Sequence, residues 1–152
     1  MLDVKEDEQF TIKPLEDKWR CLLVDSWKFS DEMTDHMIGT LIRLNRVFGA
    51  YDCQGGSAPV GWMMIYRFST SISLDVFKCI FSDGSIGMLK VHEDYQRRGL
   101  GRLLVYRMVE EAVKIGLIPF VHIEDDNEVS KAFFRRLGFR EGDTAIWINH
   151  VP

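Results

Sequence analysis

The spacing of hydrophobic residues in the first third of the chain predicts one strand and two helices. Alternation over Gln9–Lys13, ended by Pro14, is typical of a half-buried strand. A helical period follows over Glu16–Lys28, and its predicted buried face comprises Trp19, Leu22, Leu23, Ser26 and Trp27. Ser30 and Asp31 offer capping groups for a second helix ending near Asn45. Its predicted buried side comprises Met33, Met37, Ile38, Leu41, Ile42 and Leu44.

The middle of the chain predicts a β-hairpin followed by a segment with two open interpretations. Val47–Tyr51 and Pro59–Tyr66 have strand character, and a turn of Gln54–Ser57 separates them. Most of the large side chains of the second strand are expected in the core, with one or two lining an acceptor pocket: Trp62, Met63, Met64 and Tyr66. Within 67–82, Val76–Phe81 resembles an added strand turning at Asp83–Gly84. This segment is either that strand or a substrate lid.

The second half of the chain predicts alternating strands and helices. Ser85–Val91 has the pattern of a strand, and the spacing of Leu100, Leu104, Met108 and Ala112 predicts a helix ending at Gly116. The apolar run Leu117–Ile123 predicts a strand buried on both faces. Asn127 or Asp126 can cap a last helix that Gly138 ends, with Val129, Ala132, Phe133 and Leu137 facing inward. A final strand is expected over Ala145–Val151, and the whole order predicts an α/β or α+β fold.

Composition narrows the class of protein. A chain of 152 residues with 46% hydrophobic and 28% charged residues fits one globular domain spanning 1–152, and no apolar run is long enough for a membrane span. The net charge of −4 disfavours a nucleic-acid binder, and no histidine or cysteine spacing predicts a metal site. Cys21, Cys53 and Cys79 are expected to be reduced core cysteines. The acidic N-terminal stretch favours the cytoplasm, with the mitochondrion as the alternative.

A basic, glycine-bearing stretch lies where the predicted strand ends and the long helix begins. The first turn of a helix has N–H groups without intrahelical partners and carries partial positive charge, so it can bind a phosphate. Gly99 and Gly101 would let a pyrophosphate approach the backbone, and charge and donors surround them at Gln96, Arg97, Arg98 and Arg102. A second group of basic residues, at 131, 135, 136 and 140, is expected to be a solvated helix face.

The residues from Leu89 to Gly101 resemble the acyl-CoA-binding signature of the GNAT superfamily of N-acyltransferases. The superfamily motif Gln/Arg-x-x-Gly-x-Gly/Ala is filled by Gln96, Gly99 and Gly101. Downstream stretches keep the superfamily's order and spacing, and the one around Pro119–Ser130 is most similar to the glycine N-acyltransferase-like branch. This resemblance implies a GNAT-like fold with a mixed, mostly antiparallel central sheet flanked by helices.

The resemblance also implies the substrates and the cofactor site. Acetyl-CoA or another acyl-CoA would lie with its pantetheine against Leu89, Lys90 and Val91. Its pyrophosphate would lie on the stretch from Gln96 to Arg102, which includes Leu100. Asn127, Ser130 and Phe134 match further cofactor positions. The acceptor would be the amine of a small molecule or of an amino acid such as glycine, and the alternative is a degenerate module that binds acyl-CoA without turnover.

The catalytic base is not evident from the sequence. In such a reaction an amine attacks the thioester carbonyl, a backbone N–H stabilises the oxyanion, and a base takes the amine proton. The family's glutamate position falls near Ser85, which has no carboxylate, so Asp83, His122 and Glu124 are the alternative candidates. Where relatives often carry a tyrosine that protonates the CoA thiolate, this chain has Phe134.

Overall fold

The fold was obtained as a computed structural model, and it describes residues 9–27, 30, 33–67 and 83–144. The strands are β1 (Phe10–Pro14), β2 (Val47–Asp52), β3 (Gly61–Ile65) and β4 (Ile86–Val91). The α-helices are α1 (Arg20–Ser26), α2 (Thr34–Arg43), α3 (Leu100–Lys114) and α4 (Glu128–Arg136). Two short 3-10 helices, Asp17–Trp19 and Glu93–Tyr95, precede α1 and α3. The predicted order β-α-α-β-β-β-α is confirmed through α3.

The four strands form one sheet in chain order, and every neighbouring pair is antiparallel. The hairpin predicted between the second and third strands is confirmed, with Ala50 opposite Gly61 and Val47 opposite Met64. Helices cover both faces of this sheet, as the predicted α/β class requires. The antiparallel pairing holds for the described part of the sheet.

One face of the sheet packs against α3 and α4. The long helix contributes a continuous buried stripe, as its four-residue repeat predicted. The members of this core are Phe10, Phe48, Ala50, Met63, Ile65, Ile86, Leu100, Leu103, Leu104, Val105, Met108, Ala112 and Phe134. Both helices stop at the predicted glycines, which have positive φ angles of 78° at Gly116 and 92° at Gly138.

The other face packs against α1 and α2, with two corrections to the prediction. The core on this side comprises Leu15, Leu23, Met37, Ile38, Leu41, Ile42, Val47, Trp62, Met64 and Tyr66. Leu22 and Met33, predicted to be buried, are exposed: the buried position of the short α1 is Leu23, and Met33 precedes the first residue of α2. The predicted cap at Ser30 or Asp31 is wrong, because α2 begins at Thr34 after Met33 and has no side-chain cap hydrogen bond.

The segment after α3 departs most from the prediction. Leu117–Ile123 is not a strand in the structure, and its residues alternate between half-buried and exposed, with Ile118 85% exposed. The prediction of a strand buried on both faces was therefore wrong. Within the described residues, the core covers one side of this segment and no element covers the other. Val129 is also exposed, because the side of α4 that packs on the core carries Phe133, Phe134 and Leu137.

The remaining predictions concern residues outside the described ranges, the cysteines and membrane spanning. The strands proposed for Val76–Phe81 and Ala145–Val151, and Cys79, lie outside the described residues. Cys21 and Cys53 are free thiols but exposed, so their placement in the core was wrong. No helix in the described ranges has the length and hydropathy needed to cross a membrane.

Candidate functional site

The glycine-bearing stretch forms the N-terminus of α3, as predicted. Gly99 is the N-cap residue with φ +84°, a left-handed conformation that favours glycine, and a Cβ at this position would meet nothing within 4 Å. Leu103 N–H donates to Gly99 O at 3.2 Å, which leaves the N–H groups of Leu100, Gly101 and Arg102 without an intrahelical acceptor. These donors and the helix dipole favour an anion at this helix start, and Gly99 and Arg102 beside them are exposed to solvent.

Positive charge surrounds these N–H groups. Gln96, Arg97, Arg98 and Arg102 are all exposed, and Arg97 has a positive φ of 61°. The guanidinium of Arg98 lies 5.2 Å from the ring centroid of Tyr95. Within the described part of the chain, none of the three arginines forms an ion pair with a carboxylate, so their charge is available to an anionic ligand.

The strand that leads into this loop contains a β-bulge. Gly61 pairs with Val91, whereas Met64 pairs with Gly87, so β4 has one more residue than β3 over this stretch. Met88 at the bulge has φ +55°. As a result Met88 packs on the α1 and α2 side, while Ile86 and Leu89 both contribute to the α3 core.

The second half of β4 has no backbone hydrogen bond to the segment 117–124 within the described residues, and we call the space between them the cleft. Ile86 N–H donates to Phe120 O at 2.9 Å, and no further backbone hydrogen bond joins β4 to the segment 117–124 in the described residues. Val91 O instead accepts a hydrogen bond of 3.1 Å from the side-chain amide of Gln96. The predicted pantetheine residues Leu89, Lys90 and Val91 therefore lie along an edge that the glycine-bearing loop continues.

The start of α4 lies across this cleft from β4. A Cβ on Gly101 would lie 3.5 Å from Phe133 Cζ and 3.9 Å from Leu89 Cδ2, so α3, α4 and β4 converge at Gly101. The cap predicted for α4 is confirmed: Asn127 Oδ1 accepts a hydrogen bond of 3.0 Å from Ser130 N–H. The amide nitrogen of Asn127 and the hydroxyl of Ser130 are the groups that remain for a ligand.

Phe134 is surrounded by aromatic rings, and the basic residues of α4 form ion pairs with acidic neighbours. Phe134 is 8% exposed and packs edge-to-face against Phe133 and Phe139, with both centroid distances at 5.2 Å. Its contact with the cofactor stays a prediction. Lys131 pairs with Asp125 and Glu128 and Arg135 with Glu141, which agrees with a solvated helix face.

The structure brings together two residues that the sequence offered separately as candidate bases. His122 Nε2 lies 2.7 Å from Asp83 Oδ2, and Ser85 N–H donates to Asp83 Oδ1 at 2.8 Å. Burial acts to raise the pKa of Asp83, but hydrogen bonds from His122 and from the backbone N–H of Ser85 hold it below its ordinary value. Ser85 itself is 1% exposed, whereas Glu124 is exposed on the same segment as His122.

Tyr66 lies next to this pair, on the α1 and α2 side of the sheet. Its N–H donates to Ser85 O at 2.8 Å, and a Cβ on Gly87 would lie 2.7 Å from its ring, so only glycine fits beneath the phenol. Burial, with a smaller contribution from the charge of Asp83, raises the pKa of Tyr66. The sequence pattern had included Tyr66 among the residues of which one or two could line an acceptor pocket, without singling it out.

The described residues contain no group of three histidine, cysteine, aspartate or glutamate side chains placed to hold a metal ion.

Comparison with known proteins adds a family match: residues 78–148 match the FR47-like protein family. "Probable N-acetyltransferase 14" of Danio rerio is 35% identical over 80 residues, which covers 47% of this chain and 29% of that protein. The ribosomal protein bS18-alanine N-acetyltransferase of Salmonella typhimurium is 27% identical over 78 residues, 51% of each chain.

A solved structure shares the fold over nearly the whole chain. The aminoglycoside N-acetyltransferase AAC(6')-Iy, in complex with the bisubstrate analogue CoA-S-monomethyl-acetylneamine, superposes with a TM-score of 0.67 at 15% identity. The match covers 95% of this chain and 100% of that one. By contrast, the chain spans about half or less of the length of the two curated relatives.

Proposed function

We propose that the chain is an acyl-CoA-dependent N-acyltransferase of the GNAT superfamily, with residues 1–152 forming one such domain. The observation that carries the proposal is the continuity of the cleft beside β4 with the anion site at the start of α3. A ligand with a diphosphate at one end and an extended arm at the other fits this shape, and acyl-CoA is such a ligand.

The residues present suit acyl-CoA. Its pyrophosphate can accept hydrogen bonds from the free N–H groups of Leu100, Gly101 and Arg102, with the charges of Arg97 and Arg98 nearby. Its pantetheine amides can pair with backbone groups along Leu89–Val91. The amide nitrogen of Asn127 and the Ser130 hydroxyl would contact the same ligand from α4.

The proposed reaction is direct transfer. The neutral amine of the acceptor attacks the thioester carbonyl carbon, a backbone N–H of β4 stabilises the oxyanion, and collapse of the intermediate breaks the C–S bond. The products are an amide and CoA thiol, so one proton leaves the amine and one is taken up by the thiolate. Because a thiol with an ordinary pKa of about 8.5 is a tolerable leaving group, the replacement of the family's tyrosine by Phe134 is compatible with turnover.

The acceptor we propose is a small molecule or amino acid, with glycine as the leading example and acetyl or another short acyl group transferred. The similarity of the Pro119–Ser130 stretch to the glycine N-acyltransferase-like branch supports this choice. The relatives named above act on an alanine of a ribosomal protein and on aminoglycosides, so acceptors of these two kinds are the comparison set.

Two measurements test the function. Calorimetry should detect binding of acetyl-CoA, and a thiol reagent should detect CoA release when acetyl-CoA is mixed with glycine, with a peptide that begins with alanine, or with neamine. Release with glycine alone would support the amino-acid acceptor. Binding without release for any amine would favour a non-catalytic acyl-CoA-binding module, and absence of binding would contradict both functions.

A further inference from the structure

We propose that His122 is the base that accepts the amine proton and that Asp83 is the residue that positions its imidazole. The inference rests on the proposed N-acyltransfer and adds the group that this reaction needs. Nε2 of His122 lies 2.7 Å from Oδ2 of Asp83, close enough for a strong hydrogen bond. When Nε2 carries the proton that this carboxylate accepts, the lone pair of the neutral ring is on Nδ1, where it can take a proton.

The pair lies where the acyl group would arrive. Asp83 immediately precedes β4, and His122 follows Phe120, whose carbonyl oxygen accepts the hydrogen bond from Ile86. β4 comprises six residues from Ile86 to Val91, or roughly 17 Å from end to end. With its diphosphate at the start of α3, an extended pantetheine arm would run along this strand from Val91 towards Ile86. The thioester would then lie towards the end of the cleft that the Asp83–His122 pair borders.

The orientation of the segment places the imidazole on the side away from α3. Leu117, Val121 and Ile123 pack into the α3 core, so the period of an extended chain turns Phe120 and His122 to the opposite side. Their rings contact each other edge-to-face with centroids 5.4 Å apart. Met88 and Tyr66 also lie on that side. The imidazole thus lies beside the bulge of β4, at a mouth walled by aromatic rings.

Exposure separates His122 from the other candidates near it. The side chains of His122 and Asp83 are 31% and 37% exposed, so an amine can reach them from solvent. Ser85 is fully enclosed and holds Asp83 through its N–H. Glu124 is exposed two residues further along the same segment, and Glu124→Gln tests it as the alternative base.

The proton balance follows from this placement. The amine nitrogen forms the new C–N bond and transfers its proton to Nδ1 of His122, which gives an imidazolium stabilised by the Asp83 carboxylate. The C–S bond breaks, and the departing thiolate takes the proton from the imidazolium, directly or through a water molecule that relays it, so the neutral imidazole is restored. No oxidant, metal or further reactant is required.

The split between kcat and cofactor affinity distinguishes this role from a structural one. Loss of the base slows the chemical step, so His122→Gln should lower kcat and leave the Kd for acetyl-CoA unchanged. Asp83→Asn should lower kcat by a smaller factor, because the imidazole remains but loses the carboxylate that orients it.

The test measures thiol release from acetyl-CoA, with the best acceptor of the wild-type panel, for wild type, His122→Gln and Asp83→Asn. His122→Gln should lower kcat roughly 100-fold or more, with the Kd for acetyl-CoA and the melting temperature unchanged. His92→Gln is the matched control, since it removes another histidine beside an aspartate, Asp94 at 3.5 Å, and should keep the wild-type kcat. An active wild type whose kcat survives His122→Gln would overturn the base while leaving the proposed function intact. A wild type that releases no thiol with any amine would overturn both.

Discussion

His122 Nε2 and Asp83 Oδ2 lie 2.7 Å apart, although 39 positions separate the two residues along the chain. The hydrogen bond joins the turn before β4 to the segment after α3, so it ties the two sides of the cleft at one end. Because it holds the Asp83 carboxyl in its charged form, it also affects how stability depends on pH.

Asp83→Asn should flatten the loss of stability in acid. The pKa of Asp83 is below its ordinary value of about 3.9, so the folded protein binds this proton less tightly than the unfolded chain. The resulting stabilisation is complete above the ordinary value and is lost as the pH falls through the folded value. Melting temperatures between pH 7 and pH 3 would show a shallower decline for Asp83→Asn. An unchanged slope would mean that Asp83 is not bound as the structure shows.

Gly99→Ala should weaken acetyl-CoA binding beyond its effect on folding. The left-handed φ of +84° costs an alanine roughly 1–2 kcal/mol, and relaxation of the backbone would turn the free N–H groups away from the diphosphate. Gly116→Ala is the matched control, since Gly116 has a φ of +78°, similar open space and no place in the cleft. Both variants should lose similar stability by denaturant unfolding, and only Gly99→Ala should lose affinity by calorimetry. Equal affinities would argue against the anion site.

Arg102→Gln should weaken acetyl-CoA binding about tenfold, which corresponds to about 1.4 kcal/mol. Its guanidinium has no carboxylate partner in the described residues and lies on the first turn of α3, so its charge is available to a phosphate. The difference from wild type should shrink as salt is raised, because exposed charges are screened. Arg136→Gln removes the same charge from the exposed end of α4 and should leave the affinity unchanged. A loss of equal size in both variants would indicate a general charge effect.

Two substitutions of Asn127 separate capping from ligand contact. Asn127→Ala removes the acceptor of the Ser130 N–H and should lower the free energy of unfolding by about 1 kcal/mol. Asn127→Asp keeps an acceptor at the cap, so its stability should match wild type, but it replaces the amide nitrogen with a negative charge. Calorimetry should show weaker acetyl-CoA binding for Asn127→Asp if the amide contacts the cofactor. Affinity equal to wild type in both variants would make the residue a cap only.

The elements with strong local signals could be predicted from the sequence. The hairpin of β2 and β3, the repeat of α3 and the caps at Asn127, Gly116 and Gly138 depend on residues a few positions apart, so periodicity and capping chemistry determine them. The start of α3 at the glycine-bearing stretch was predicted for the same reason, since Gln96 to Arg102 are contiguous, and anion binding there stays a prediction. Burial of Val129 and of Leu117–Ile123 was mispredicted, because hydrophobicity alone does not say which elements come to cover a face.

The tertiary structure alone decided which candidate residues meet at the far end of the cleft. The sequence offered Asp83, His122, Glu124 and Ser85 as separate candidates, since pattern reasoning contains no distance between residues so far apart. The bulge at Met88 turns its side chain to the α1 and α2 face, and the return of the chain after α3 places His122 against Asp83. The Asp83–His122 pair forms only when β4, α3 and the segment 117–124 pack together. That packing depends on the whole core, so no short stretch of sequence determines it.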